Sequence, residues 1–199
     1  MHCTGRGISV DSQLRTSTKN IYAAGDVIGD EQYTHIAAWQ AFQATRNALF
    51  PGGSRGLSDL VPRVTFTDPE VAHVGPTREE LRSRYGDRVK ASVLDARHLD
   101  RAVCENDRDA FIRVMTRDGG VIVAATIVAD RAGETLNELM VAMAHGIKLG
   151  EIANTIHAYP TNSTGVQRLA ADMALDDAFT GFTGRAYRRL SKLTLRTFS

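Results

Sequence analysis

Ala110-Phe111-Ile112-Arg113-Val114-Met115 and Val121-Ile122-Val123-Ala124-Ala125-Thr126-Ile127-Val128 lie on either side of Arg117-Asp118-Gly119-Gly120. Two apolar, β-prone runs around an Asp-Gly-Gly turn form a strong hairpin signal, because glycine supplies the positive φ that tight strand reversals require. Just beyond, Glu134 opens a stretch in which Leu136, Leu139, Met140, Met143 and Ala144 form an apolar stripe at helical spacing, closed by Gly146. That stripe predicts a helix packed on the hairpin sheet. Upstream, Val89 to Asp95 alternates as a strand, and Thr77-Arg78-Glu79-Glu80 has capping-box spacing before a short helix ending near Gly86. Val64 to Thr67 and Val71 to Val74 read as strand pieces around Asp68-Pro69. The succession predicts an α+β domain: an antiparallel sheet flanked by helices.

Downstream lies Thr155-Ile156-His157-Ala158-Tyr159-Pro160-Thr161-Asn162-Ser163-Thr164. Pro160 fixes its own φ and pushes Tyr159 towards extended backbone, so a phenol and an imidazole are carried on a stiff segment. Val166, Leu169, Ala170 and Met173 follow at helical spacing and predict a core-facing helix that anchors it. The segment reads either as a site or as an ordinary proline turn before a core helix. His157 reads either as an acid–base group or as a structural histidine bonded to a backbone carbonyl.

Towards the N-terminus, Arg6 to Val10 and Asn20 to Ala24 read as two short strands, the second running into Gly25-Asp26. Small residues before Gly-Asp allow close backbone approach and leave a carboxylate at the lip, though Gly25-Asp26 reads equally as a turn. Thr34 is the predicted N-cap of a helix from His35 to Phe50. Its free N–H groups and positive dipole end suit an electron-rich oxygen. Pro51-Gly52-Gly53-Ser54-Arg55-Gly56 stops the helix and reads as a linker, which sets the expected organisation as residues 1–56, 57–177 and a tail over 178–199.

The 199 residues, 43% hydrophobic and 24% charged, have the composition of a soluble globular chain with one good core or two small ones. No apolar run reaches the roughly 18 to 20 residues of a membrane span, and no export signal is expected at Met1-His2-Cys3-Thr4-Gly5-Arg6. Cys3 and Cys104, far apart and without a CxxC partner, argue against a disulfide framework or cysteine metal site and fit a reducing, cytoplasmic setting. Cys104 is expected to be a buried or inert thiol, while His35 and His73, on no metal-ligand spacing, are read as structural or solvated. Residues 181–199 hold Arg185, Arg188, Arg189, Lys192 and Arg196 without an acid, so this tail carries +5 and the other 180 residues −4. A docked or solvated terminal helix is the favoured reading, with no sign of a nucleic-acid reader.

Three stretches resemble one family in the right order. Thr18-Lys19-Asn20-Ile21-Tyr22-Ala23-Ala24-Gly25-Asp26-Val27 is similar to the second flavin-binding motif of the pyridine nucleotide-disulfide oxidoreductases, the family of glutathione reductase, dihydrolipoamide dehydrogenase and mercuric reductase. Phe66-Thr67-Asp68-Pro69-Glu70-Val71-Ala72-His73-Val74-Gly75 resembles the opening of that family's dimerisation domain. His157-Ala158-Tyr159-Pro160-Thr161 sits where the family has its HxHPT segment.

The resemblance implies the end of an FAD domain followed by the interface domain of a homodimeric, NAD(P)H-using flavoenzyme of redox homeostasis. By the same resemblance Asp26, after Gly25, bonds the ribityl chain of FAD, and the helix start at Thr34, His35 and Ile36 lies against the flavin's pyrimidine edge. The family's acid–base histidine and its glutamate five residues on are here Tyr159 and Thr164, leaving Tyr159, His157 and Thr164 as candidate catalytic residues. A tyrosine at this point is similar to mercuric reductases, where it helps hold or transfer a metal ion; the C-terminal thiols of that branch are missing. The electron acceptor implied is a small molecule, a disulfide or a metal ion, with no resident metal. Neither a GxGxxG loop nor a redox CxxxxC is present, so this piece alone is expected neither to hold FAD firmly nor to turn over. The rival expectation is a non-catalytic homodimeric module that keeps the fold.

Overall fold

The computed structural model describes residues 1–180; the basic stretch expected over 181–199 lies outside the described residues. Two compact units divide between Val61 and Pro62.

In the first unit the strands expected over residues 6–10 and 20–24 do not form. Isolated bridges pair Cys3 with Ile8, Val10 with Thr16 and Arg15 with Tyr22. The physical reason is local: Asn20 sits at a φ of 64°, which breaks the extended run, and each segment meets a partner at single residues rather than along a ladder. A 3-10 turn, Gly25–Ile28, packs against helix α1, Thr34–Leu49. Tyr33, not Thr34, is the N-cap of α1, and it makes no side-chain cap hydrogen bond; Thr34 is already helical. Asn47 ties the unit together, donating from Nδ2 to the carbonyls of Gln13 (3.0 Å) and Ser54 (2.7 Å), while Tyr22 Oη donates to the Asn47 carbonyl at 3.0 Å.

The second unit is built on five antiparallel strands, β1 Arg63–Thr65, β2 Glu70–Val74, β3 Val89–Asp95, β4 Phe111–Arg117 and β5 Val121–Ala129, in the order β1-β2-β5-β4-β3. The expected hairpin is the β4–β5 pair, with a register shift between Met115 and Thr116. Helix α2, Arg78–Tyr85, starts with the full capping box: Thr77 Oγ1 accepts from Glu80 N–H, and Glu80 Oε2 accepts from Thr77 N–H at 2.8 Å. The remaining helices are α3 Asp100–Glu105, α4 Ala132–His145, α5 Leu149–Ile152 and α6 Ser163–Thr180.

Strand period puts Ile112 and Val114 on one face, opposite Ile127 and Ala125, and all four are buried. Helix α4 packs on β5 and β2, burying Leu136 and Leu139, and α6 packs on β3, burying Val166, Leu169 and Ala170. Each such leucine contributes roughly 1.5–3 kcal/mol through the apolar area it removes from water. Of the stripe expected on α4, Met140 and Met143 are half-buried and Ala144 is exposed; Ala132, Thr135 and Ala142 are buried with the leucines instead. The helical period of 3.6 carries Ala144 off the core face, two residues beyond Ala142. A smaller cluster joins Leu81 of α2 to Met115 and Ala124, so both faces of the hairpin are covered near its turn.

The start of α6 lies very close to the sheet. A Cβ at Gly165 would stand 2.6 Å from Ile112 Cδ1, 3.1 Å from Leu99 Cδ1 and 3.2 Å from Leu94 Cδ2. That close approach fixes the end of the loop that carries Tyr159.

Candidate functional site

The segment between α5 and α6 is pinned side chain by side chain. The Thr155 carbonyl accepts from Gln167 Nε2 at 2.8 Å and from His157 Nδ1 at 2.9 Å. His157 Nε2 meets Glu138 Oε1 of α4 at 2.6 Å. Tyr159 Oη donates to Asp100 Oδ2, the first residue of α3, at 2.9 Å. Thr161 Oγ1 donates to the Ala158 carbonyl at 2.7 Å, and Asn162 Nδ2 to the Asp130 carbonyl at 2.7 Å. Thr164 Oγ1, in the first turn of α6, donates back to the Thr161 carbonyl of the loop at 2.5 Å.

The electrostatics follow from these partners. His157 faces two acceptors, a carbonyl and a carboxylate, an arrangement that favours a proton on both ring nitrogens and so the imidazolium form. Burial opposes that charge, but the hydrogen bonds to Glu138 and the Thr155 carbonyl, with the Glu138 charge, outweigh it and raise the pKa above the ordinary histidine value. The Tyr159 phenol is held protonated: its hydrogen bond to Asp100, and then the Asp100 charge, push its pKa above 10.0. Tyr159 is 71% exposed and Ile156 is 96% exposed, so the loop shows a phenol and an aliphatic side chain to whatever lies beside it.

The structure thus groups Tyr159 and His157 on one loop and adds Asp100 and Glu138, which the sequence reading missed. Thr164 is committed to Thr161 rather than to either ring. His73 is structural, with Nε2 at 2.9 Å from the Gly75 carbonyl and Nδ1 at 3.0 Å from Thr126 Oγ1. Cys104, expected to be buried or inert, is exposed on α3, because the six-residue helix turns it away from the buried Ala102. No group of three His, Cys, Asp or Glu side chains able to hold a metal occurs among the described residues.

In the first unit, Gly25 adopts a φ of +74°, and a Cβ there would lie 2.9 Å from Ala37 Cβ, so glycine lets the turn sit against α1. Gly25 N–H donates to Gln40 Oε1 at 2.7 Å. The Asp26 side chain is exposed. Tyr33 and His35 stack with ring centroids 5.2 Å apart, and the Ile36 side chain is buried. The Gly25 turn, with its exposed carboxylate, packs on α1, whose start has no side-chain cap; a carboxylate can accept from hydroxyl groups, and free helix N–H groups suit an electron-rich oxygen. Ile36 can offer only backbone, its side chain being part of the core.

A five-stranded antiparallel sheet with helices, following a Gly-Asp turn against a helix start, defines a class of protein, and comparison with known proteins agrees. Residues 61–170 match the pyridine nucleotide-disulphide oxidoreductase dimerisation domain. The chain belongs to the pyridine nucleotide-disulphide oxidoreductase family. It is 34% identical over 174 residues to dihydrolipoyl dehydrogenase of Geobacillus stearothermophilus, covering 86% of this chain and 36% of that protein. It is 30% identical over 161 residues to mercuric reductase of Bacillus cereus, covering 80% of this chain and 25% of that protein. Among solved structures, LpdA from Mycobacterium tuberculosis superposes with a TM-score of 0.78 at 30% identity, over 85% of this chain and 37% of that one. The HOCl-induced flavoprotein disulfide reductase RclA from Escherichia coli gives 0.77 at 25% identity, over 85% and 40%. The chain therefore spans about a third of the length of these relatives. No helix among the described residues is long and apolar enough to cross a membrane.

Proposed function

We propose that this chain forms the C-terminal part of an FAD-dependent NAD(P)H oxidoreductase, mercuric-reductase-like in its tyrosine-bearing loop. In this reading it supplies the homodimer interface and lends that loop to the redox site of the partner subunit. The observation that carries the reading is Tyr159, exposed and yet fixed by Asp100 on a loop pinned to α3, α4 and α6. Ordering a large exposed side chain costs entropy, and a surface that awaits a partner gives that cost a use.

Asp26, with Gly25 shaping its turn, would hold the hydroxyl chain of FAD, and the backbone at Thr34, His35 and Ile36 would face its electron-rich edge. When bound, FAD supplies the two-electron chemistry. This chain's own residues orient it, exclude water at the interface and keep a proton on Tyr159 Oη. Tyr159 serves as a hydrogen-bond donor rather than a base, since Asp100 disfavours the phenolate. The acceptor is a small molecule, a disulfide or a metal ion.

The rival reading, a non-catalytic homodimeric module, draws on Thr164, whose hydroxyl is spent on the Thr161 carbonyl where the family has its glutamate. Joining the chain to upstream FAD and NAD(P)H domains of a relative and assaying NAD(P)H oxidation with dyes, disulfides and metal ions separates the two. Consumption that falls on Tyr159→Phe supports the oxidoreductase; no consumption with any acceptor supports the module. Sedimentation of the chain is expected to show a stable homodimer at micromolar concentration, and a monomer would count against both readings.

A further inference from the structure

We propose that Glu138 is the positioning residue of the Tyr159 loop, acting through His157 as a charged latch that fastens the loop to α4 and opens as pH rises. The geometry is direct. His157 is the only residue between Asn154 and Pro160 whose side chain reaches α4 in the described hydrogen bonds, and it does so at 2.6 Å with side chains 7% and 28% exposed. At that burial the pair is screened weakly by solvent, so its strength depends on both charges being present.

The charged group facing His157 is Glu138, from α4; its own loop contributes the neutral Thr155 carbonyl. Loss of the imidazolium proton leaves a ring with one N–H for two acceptors, so one contact must go. If the proton stays on Nδ1, bare Nε2 faces the Glu138 carboxylate and the latch opens. If it moves to Nε2, the brace on the Thr155 carbonyl is lost and the backbone before Tyr159 loosens. Either way Tyr159, two residues on, loses its fixed approach to Asp100.

The importance for catalysis rests on the proposed role of this loop at a redox site. The latch itself does not, so the two ideas fail in different experiments.

The test is made on the 199-residue chain by NMR. Long-range 1H–15N spectra are expected to show both His157 ring nitrogens protonated at mildly acidic pH, with a titration midpoint above the ordinary histidine value of about 6.5. Glu138→Gln should lower that midpoint. The pH at which amide protection from Ile156 to Tyr159 is lost should fall with it, while protection in β4 and β5 stays unchanged. His157→Gln, which cannot titrate, should make loop protection independent of pH over about pH 6 to 9. Unchanged strand protection shows in the same spectra that each variant is folded, and Glu138→Asp serves as the milder replacement if it is not. A His157 midpoint at or below the ordinary histidine value, or loop protection that ignores Glu138→Gln or Glu138→Asp, overturns the proposal.

Discussion

Tyr159 Oη and Asp100 Oδ2, 59 residues apart in sequence, are joined by a 2.9 Å hydrogen bond that ties the loop to the first turn of α3. A carboxylate that accepts from a phenol stabilises the protonated phenol and opposes its ionisation. Asp100→Asn removes that negative charge while keeping the side-chain shape. Tyrosinate absorbance during an alkaline titration should then show one tyrosine ionising at lower pH than in the parent chain, and Tyr159→Phe should remove that tyrosine from both curves. An unchanged titration in Asp100→Asn would break the assignment.

The His157 latch also makes a prediction for stability. Its folded pKa is raised, so its contribution is fully present below the unfolded value of about 6.5 and is lost as pH rises through the folded value. The melting temperature of the parent chain should exceed that of His157→Gln most at mildly acidic pH, and the gap should shrink on the alkaline side. A gap that is constant or widens with pH would contradict the imidazolium.

Thr77→Ala removes the hydroxyl that caps α2 and half of the reciprocal pair with Glu80. The expected loss is about 0.5–2 kcal/mol, read as a lower urea midpoint at unchanged slope. Glu80, whose carboxyl pKa is lowered first by the Thr77 N–H and then by its hydroxyl, should titrate closer to an ordinary glutamate in the variant.

Gly165→Val places methyl groups where Ile112, Leu99 and Leu94 already stand. Overpacking of this kind costs about 1–3 kcal/mol. Gly165→Ala should cost less, because helix propensity returns up to about 1 kcal/mol against the tighter contact. Chemical denaturation that ranks valine above alanine in stability would show that α6 does not sit as closely on the sheet as described.

The sheet was legible because its signals are local. Val89–Asp95, the Asp118-Gly119-Gly120 turn and the Thr77 capping box each carry their information within a few residues, and each formed where expected. Arg6–Val10 and Asn20–Ala24 had strand-like residues but no strand to pair with along their length. Helices α3 and α5, of six and four residues, are too short to show a period. Glu138 and Asp100 escaped for another reason. A carboxylate 19 or 59 residues from its partner leaves no spacing to read, and Glu138 stands beside Leu139 as an ordinary polar residue next to a stripe. Tyr159 and His157 could be singled out from sequence; the groups that set their protonation became visible only with the fold.

Strand β5 occupies the centre of the sheet, with one neighbour adjacent in sequence and the other, β2, some fifty residues upstream. The β4–β5 ribbon can close within microseconds, whereas joining β2, with its local partner β1, to β5 must first confine a long intervening stretch. Assembly is therefore expected to start at the ribbon, and substitutions at Ile112 or Ile127 should slow refolding where those at Val71 mainly hasten unfolding, which stopped-flow refolding and unfolding rates would check. On a ribosome the consequence is ordering in time: β1 and β2, which can pair with each other, emerge first, and the other edge of β2 must wait for β5 to arrive.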